Sequence, residues 1–215
     1  MPDYPYFCSD GRVRPHETEQ MEAEYGEKNT LHIKNMVCNR CIMAVENALC
    51  GLGLHPVKTE LGTAVIREEI TDAVHDAVRA TLEPLGFEII DDRKSRIIEQ
   101  VKSEIIRLVH YDSGGLKVNL SDWLSSRMHK DYSLLSKVFS EATGTTIEKY
   151  FIAQKIEKAK ELLAYGELSL NEIADRLGYS SAAYLSAQFK NVTGLTPSHF
   201  RKIGENRRKP LDEIL

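Results

Sequence analysis

Cys38 and Cys41 are the residues whose type and spacing point most directly to chemistry in this 215-residue sequence. They stand where a strand-like segment gives way to a helix-like one, so we expect both thiols near a helix N-terminus, whose free amides stabilise thiolates. Two thiolates at this spacing can bind one soft ion, and Cu(I) suits them better than zinc, which needs about four ligands. A thioredoxin-like redox pair is less favoured, because Asn39 and Arg40 supply no proline and no aromatic residue precedes Cys38.

The other two cysteines are Cys8 and Cys50. Four cysteines spaced this unevenly do not suit a disulfide framework, so we expect all of them to stay thiols in a reducing compartment. Cys50 falls at the far end of the helix that begins near Cys41, where its sulfur is badly placed to bind the same ion.

The segment around the cysteine pair has the pattern of a small α+β domain. Alternating apolar residues predict strands at residues 31–34, 57–61, 64–66 and 87–90, and apolar residues at helical spacing predict helices at residues 42–52 and 70–85. The order strand, helix, strand, strand, helix, strand predicts a ferredoxin-like βαββαβ domain over residues 30–92, in which two helices cover a four-stranded sheet.

Residues 31–91 resemble heavy-metal-associated domains, the small copper-chaperone fold. The resemblance rests on the cysteine pair, on Met36 two places before it, and on Leu85-Gly86-Phe87 at the end of the second helix, while Asn35 stands where that family usually has glycine. It implies that Cys38 and Cys41 bind Cu(I) or another soft metal ion. Two other roles stay open for this domain, namely contact with a second copy or another protein through its sheet, and sensing of a different ligand.

The second half of the chain reads as an all-α domain that contains one pattern twice. Helices are predicted at residues 121–124, 133–142, 146–164, 169–177, 181–192 and 197–202. Their expected N-caps are Asp131, Thr145, Ser169, Ser180 and Thr196. The first copy runs from Leu120 to Thr143-Gly144 and the second from Leu170 to Thr193-Gly194, with each residue of the second 50 positions after its counterpart.

This repeat resembles the AraC family of bacterial transcription regulators over about residues 118–203. The matching motifs are Ser169-Leu170-Asn171-Glu172-Ile173-Ala174, Leu177-Gly178-Tyr179, Phe189-Lys190 and the run from Thr193-Gly194 to Phe200-Arg201. The resemblance implies two helix-turn-helix units, joined by the long helix at residues 146–164, that enter successive major grooves of double-stranded DNA. We expect the protein in the cytoplasm, because the sequence shows no membrane span and no signal-peptide pattern, and we expect a regulator that is not an enzyme.

Helix phase selects the residues expected to face the DNA, because Leu135, Val138 and Phe139 in one copy and Leu185 and Phe189 in the other must face the core. The opposite faces hold the candidate DNA-binding residues Ser133, Ser136, Lys137, Ser181, Ala182, Ala183, Ser186, Ala187 and Lys190. Lys137 suits guanine or a phosphate, and the alanines suit thymine methyl groups. Lys155, Lys158 and Lys160 on the joining helix either contact phosphates or form a solvated helix face.

The remaining segments complete the predicted domain organisation. Residues 1–29 read as a mobile tail, 93–115 as a helical linker with a joint at Gly114-Gly115, 116–204 as the DNA-binding domain and 205–215 as a C-terminal tail. On the linker, Ile98, Val101, Ile105 and Leu108 form a seam that either pairs two subunits as a homodimer or packs against the chain's own domains. Residues 1–115 carry 13 basic against 20 acidic side chains and residues 116–215 carry 15 against 12, so the second half is the better partner for a polyanion.

Other classes of protein fit the sequence less well. No apolar run is long enough for a membrane span, and no hydrolase triad or phosphate-binding loop is present. An alkyl-acceptor DNA repair protein would need four clustered thiols, and only Cys38 and Cys41 are close in sequence. A metallochaperone with an incidental DNA domain is disfavoured because the C-terminal resemblance is the stronger of the two.

Overall fold

The computed structural model describes residues 27–112 and 118–203 and forms two compact units, Met1–Glu99 and Gln100–Leu215. The predicted mobile tail up to residue 26, the joint at Gly114-Gly115 and the predicted C-terminal tail lie outside the described residues. A 3-10 turn at Glu27–Asn29 precedes the first strand, and the Asn29 amide donates to the Glu68 carbonyl at 2.8 Å. Regular structure therefore begins three residues before the predicted domain start at residue 30.

The N-terminal unit has the predicted order of strands and helices. Its elements are β1 (Thr30–Lys34), α1 (Asn39–Gly51), β2 (Pro56–Glu60), β3 (Thr63–Ile66), α2 (Asp72–Leu82) and β4 (Glu88–Ile89), and α3 (Arg93–His110) begins in this unit and continues into the next. The four strands form one antiparallel sheet in the order β2-β3-β1-β4. Leu31 of β1 pairs with Ala64 of β3, and Ile33 of β1 pairs with Ile89 of β4.

One face of this sheet and two helices form the core of the unit. Strand β1 alternates between buried and half-buried residues, as a strand with one covered face must. Each helix buries two residues spaced four apart, which lie on one helical face, and α1 and α2 contact each other. These buried residues are Val45 and Leu49 of α1 and Val78 and Leu82 of α2.

The C-terminal unit is helical throughout its described part. Its elements after α3 are α4 (Leu120–Met128), α5 (Tyr132–Thr143), α6 (Ile147–Tyr165), α7 (Leu170–Arg176), α8 (Ala182–Thr193) and α9 (Pro197–Ile203). Helix α6 is its central element and is buried on several sides, with Ile156, Ala159 and Leu163 in one core cluster beside Leu185 and Phe189 of α8. The predicted helices are confirmed, although α4 runs four residues beyond its predicted end.

Two of the predicted caps lie one residue too early. The N-cap of α6 is Thr146, which accepts from the Lys149 amide at 3.2 Å, and that of α8 is Ser181, which accepts from the Tyr184 amide at 3.1 Å. A cap needs extended backbone and an oxygen three residues before the amide it binds, and these residues meet both conditions. Ser169 caps α7 as predicted, in a capping box with Glu172.

The seam on α3 is covered within the single chain. Ile98, Val101, Ile105 and Leu108 are 8%, 0%, 0% and 7% exposed. Side chains already removed from water cannot gain further burial by pairing with a second copy. The structure therefore favours the alternative in which this seam packs against the chain itself.

None of the helices in the described ranges is both long enough and apolar enough to cross a membrane.

Candidate nucleic-acid interface and cysteine pair

Helix α5 presents the predicted candidate residues of the first helix-turn-helix unit. Its buried face is formed by Leu135, Val138 and Phe139, as predicted from the helix phase. On the other side Ser133 and Lys137 are exposed, whereas Ser136 is half-buried. The structure thus leaves one cation and one hydroxyl fully accessible on this helix.

The start of α5 is tied to the long helix α6. The Tyr132 hydroxyl donates to the Glu148 carboxylate in a short hydrogen bond. The same bond holds the pKa of Glu148 below its usual value, so the acceptor stays ionised at neutral pH. This contact fixes the orientation of α5 on the body of the domain.

Helix α8 presents the candidates of the second unit, but two of them differ from expectation. Ala183, Ala187 and Lys190 are exposed and Ser186 is half-buried. Ser181 is exposed, yet its hydroxyl oxygen already accepts the hydrogen bond that caps α8. Ala182 is half-buried against the core, because it lies three residues before Leu185 and therefore on the same helical face.

Large exposed side chains at equivalent positions of α5 and α8 were missed by the sequence reasoning. Leu134 of α5 is 46% exposed and Tyr184 of α8 is 52% exposed. Each directly precedes a fully buried leucine, so the phase that buries Leu135 and Leu185 turns its neighbour outward. The helical phase was the signal that could have found them.

Lys155, Lys158 and Lys160 of α6 do not form the solvated helix face that was one of their two predicted roles. Lys160 is 8% exposed and pairs with Glu157 at 2.6 Å, and Lys158 pairs with Glu161 at 3.1 Å. The Lys155 ammonium lies over the ring of Tyr179, 4.1 Å from its centroid, and burial lowers the pKa of Lys155 to about 8. Because α6 is the central helix of the unit, these cations contact protein groups rather than facing solvent.

The predicted metal ligands lie side by side at the start of α1. Cys38 is the N-cap residue of α1, Cys41 lies in its first turn, and their Sγ atoms are 3.4 Å apart. Both cysteines are free thiols and both are partly buried. The sequence therefore predicted this juxtaposition correctly.

The two thiols differ in acidity. Burial raises the pKa of Cys38, but hydrogen bonds from the backbone and thiol of Cys41 and from the Arg40 amide, with the Arg40 charge, bring it below its ordinary value. Burial raises the pKa of Cys41 above its ordinary value, and so do the thiol and charge of Cys38. Cys38 is consequently the thiol that ionises first.

The loop before the pair is held by Asn35. This residue adopts a left-handed backbone conformation with φ of 71°, and its side-chain amide donates to the Gly86 carbonyl at 2.9 Å. Asparagine tolerates this conformation better than most other residues with a side chain, which explains how it occupies this position of positive φ. Met36, one residue later, is 2% exposed and belongs to the core.

The donor set suits a soft ion of low coordination number. Among the described residues, no group of three or more His, Cys, Asp or Glu side chains is placed to hold a metal ion. Two thiols without a third ligand fit Cu(I) and do not provide the four ligands of a structural zinc site. Cys50 is disulfide-bonded, so the expectation that all four cysteines stay thiols is wrong for this residue, because a disulfide depends on local proximity as well as on the compartment.

Comparison with known proteins finds similarity in the C-terminal helices. Residues 124–203 match the family model described as "Helix-turn-helix domain". The Msm operon regulatory protein of Streptococcus mutans is 30% identical over 105 residues, covering 48% of this chain and 37% of that protein. The xylose operon regulatory protein of Escherichia coli K12 is 32% identical over 119 residues, covering 54% of this chain and 30% of that protein. Both are named as regulators and neither as an enzyme.

A solved structure also aligns with this chain. The C-terminal domain of AraT, a response regulator from Geobacillus stearothermophilus, is 27% identical to this chain and has a TM-score of 0.45. The alignment covers 52% of this chain and 88% of that domain. The chain spans about a third of the length of the two operon regulators. The match of residues 124–203 agrees with the helix-turn-helix part of the sequence resemblance.

Proposed function

We propose that this protein is a sequence-specific regulator of transcription that binds double-stranded DNA through α5 and α8 and acts in the cytoplasm. The proposal rests on the match of residues 124–203 to a helix-turn-helix family. Within this range, α5 and α8 each have one buried face and one exposed face. Relatives named as operon regulatory proteins support the same class of function. The cytoplasm follows from this function, because the DNA it would bind is there.

The exposed candidate residues offer different chemical groups to DNA on α5 and on α8. Lys137 of α5 can donate to guanine or to a phosphate, and Ser133 can serve either group. On α8, Ala183 and Ala187 offer methyl groups to thymine, and Lys190 suits a phosphate. Ser136 and Ser186 are half-buried and would contact DNA only where the helix approaches closely. Ser181 and Ala182 serve the helix itself, so their proposed role at the DNA is the weakest of the set.

For the N-terminal unit, we propose a ferredoxin-like domain over residues 30–92 that senses a soft metal ion or thiol oxidation through Cys38 and Cys41. Support comes from the βαββαβ order, the strand order β2-β3-β1-β4 and the two thiols 3.4 Å apart. When bound, Cu(I) would link both thiolates and neutralise part of their charge. A disulfide, with sulfurs about 2.05 Å apart, would need only a small approach of the same two atoms.

The observations favour other roles less. A protein-contact module would not need two adjacent free thiols of unequal acidity. An alkyl-acceptor repair site would need more clustered thiols than the described residues provide. A homodimer through the α3 seam is opposed by the burial of that seam in one chain.

The DNA function is tested by selecting bound fragments from a random pool with the full-length protein. Enrichment of one sequence is expected, and its affinity should fall about tenfold in Lys137→Met, because a bidentate or charged base contact contributes about 1–3 kcal/mol. Lys94→Met, which removes the same charge from an exposed position in the N-terminal unit, is the matched control. A pool that shows no enrichment contradicts the proposal.

The sensing function is tested by anaerobic titration of the reduced protein with Cu(I), Ag(I) and Zn(II). Cu(I) and Ag(I) should bind tightly at one equivalent and alter the affinity for the selected DNA, and both effects should vanish in Cys38→Ser/Cys41→Ser. Asn39→Ser, an exposed change between the two cysteines, should leave both effects intact. A metal response that survives in the double cysteine variant would exclude this site.

A further inference from the structure

Tyr184 belongs to a chain of three polar side chains on the exposed side of the second helix-turn-helix unit. The Tyr179 hydroxyl donates to Gln188 Oε1 at 3.0 Å, and Gln188 Nε2 donates to the Tyr184 hydroxyl at 3.1 Å. The rings of Tyr179 and Tyr184 meet edge to face with centroids 5.9 Å apart. Tyr184 and Gln188 are four residues apart on α8, so the chain runs along one helical face.

The direction of these hydrogen bonds follows from burial. Tyr179 is the buried end of the chain, and its hydroxyl proton needs an acceptor, which the Gln188 carbonyl oxygen supplies. Burial, and to a smaller extent the neighbouring Tyr184, raise the pKa of Tyr179, so this hydroxyl keeps its proton and remains a donor. The Gln188 amide group is then left for Tyr184, whose oxygen accepts from it.

The Tyr184 hydroxyl is therefore left as a hydrogen-bond donor that faces outward. A tyrosine hydroxyl that accepts from an amide still has its own proton to donate. Within the described range 118–203, the structure records no acceptor for the proton of the Tyr184 hydroxyl. The Lys155 ammonium over the Tyr179 ring anchors the buried end of the chain to α6, so the three side chains are held by the body of the domain.

The first unit has no such chain. Leu134 and Val138 occupy the positions that correspond to Tyr184 and Gln188. Conversely, the first helix has Lys137 where the second has Ala187. Each recognition helix therefore carries one donor near its middle that the other lacks.

We propose that Tyr184 donates its hydroxyl proton to an acceptor on double-stranded DNA, a phosphate oxygen or a base acceptor in the major groove, and that Gln188 and Tyr179 are positioning residues for it. The proposal rests on the DNA-binding function proposed above. Phosphates and the N7, O6 and O4 atoms of bases accept hydrogen bonds, so a neutral donor of fixed direction matches either group.

The test is a double-mutant cycle on the full-length protein, with the DNA fragment that the wild type enriches and fluorescence anisotropy as the measure of the dissociation constant. Tyr184→Phe keeps the ring and should weaken binding about tenfold. Gln188→Leu should weaken it about threefold, because the hydroxyl is still present but no longer oriented. In the double variant the loss should equal that of Tyr184→Phe alone, since positioning has no value without the hydroxyl.

Tyr165→Phe is the matched control, because Tyr165 is 66% exposed on the end of α6, and its DNA affinity should not change. Tyr179→Phe replaces Gln188→Leu if the latter unfolds at a lower temperature than the wild type. A Tyr184→Phe effect that persists across all base substitutions in the fragment assigns the acceptor to a phosphate, and one that disappears at a single base pair assigns it to that base. Both outcomes support the proposal.

Two results overturn it. Wild-type affinity in Tyr184→Phe, or losses of the two single variants that multiply in the double variant, would show that the hydroxyl makes no contact or that Gln188 acts independently. Both leave the DNA-binding function intact. A wild type that enriches no DNA removes the proposed function and this inference together.

Discussion

Cys38 and Cys41 are chemically identical side chains that the helix start makes unequal. Cys38 receives hydrogen bonds from the backbone and thiol of Cys41 and lies beside Arg40, which together outweigh the burial that raises its pKa. Cys41 receives less compensation for its burial and has the charge of Cys38 beside it. In such a pair, the thiol with the lower pKa can bind a soft ion first as a thiolate, and the other thiol can ionise and bind afterwards.

This inequality predicts selective alkylation. At pH 7 the reduced protein should react with iodoacetamide faster at Cys38 than at Cys41, because only the thiolate is nucleophilic and the pKa of Cys38 is the lower. Tandem mass spectrometry of early time points measures both rates. In Cys41→Ala, Cys38 loses the side-chain donor, so its pKa should rise and its labelling should slow. Equal labelling of both cysteines in the wild type contradicts the assignment.

Lys155 predicts a second, pH-dependent effect on stability. Burial lowers its folded-state pKa to about 8, whereas an unfolded lysine has a pKa of about 10.4. Between these values the unfolded chain binds more protons, so this group makes the wild type more stable as pH rises from about 8 to about 10.4. Below pH 8 the cost of burying the charge is fully present, offset in part by the ring of Tyr179.

Replacing this lysine should therefore stabilise the fold at neutral pH. Lys155→Met should raise the free energy of unfolding by about 1 kcal/mol at pH 7, after allowance for partial exposure and the lost ring contact, and the gain should shrink by pH 10. Urea denaturation at both pH values measures it. The exposed Lys190→Met should show no pH-dependent difference from the wild type. A Lys155→Met variant that is less stable at pH 7 would mean that the ring contact outweighs burial.

At the level of elements, the sequence predicts where a helix lies better than it predicts the residue at which the helix begins. Apolar periodicity was enough to predict each helix, since Leu135 and Phe139 or Leu185 and Phe189 leave only one buried face. The caps were less determined, because Ser180-Ser181 and Thr145-Thr146 each present two adjacent hydroxyls, and only the backbone conformation selects one.

The candidate site shows the same limit in its side chains. Ala182 lies three residues before Leu185, so the helical phase could have placed it against the core, but its small side chain suited an exposed face equally well. Lys160 was expected to contact a phosphate or to lie on a solvated helix face, but it is 8% exposed and pairs with Glu157, three residues earlier, at 2.6 Å. The cysteine pair was predictable because both thiols belong to one turn, where spacing alone fixes their distance.

The cap assignment gives a prediction for α8. Ser181→Ala should lower the free energy of unfolding by about 1 kcal/mol, because the Tyr184 amide loses the oxygen that accepts from it. Ser180→Ala, one residue earlier and exposed, should change stability by less than about 0.5 kcal/mol. Urea denaturation of the two variants side by side measures the contrast. Equal losses of unfolding free energy, or a larger loss in Ser180→Ala, would contradict Ser181 as the N-cap.

At the level of the whole molecule, the distribution of charge disfavours non-specific binding to DNA. The chain carries a net charge of −4, with the excess of acidic residues in its first half and a small excess of basic residues in its second. Because several α6 lysines are engaged by carboxylates or an aromatic ring, they add little to the positive surface. Binding that depends on few phosphate contacts must draw more of its free energy from the fit of α5 and α8 to the bases.

This distribution predicts a shallow dependence of DNA affinity on salt. Each phosphate contact contributes about 0.9 to the slope of log K against log salt concentration, so few contacts give a small slope. Lys190→Met should reduce the slope by about 1, because its exposed cation on α8 is a proposed phosphate contact. Lys94→Met removes the same charge from an exposed position outside the two predicted helix-turn-helix units and should leave the slope unchanged, because only cations that contact phosphates contribute to it. Anisotropy titrations from 50 to 300 mM salt measure all three slopes, and an equal reduction in both variants would mean that net charge, not the surface of α8, governs binding.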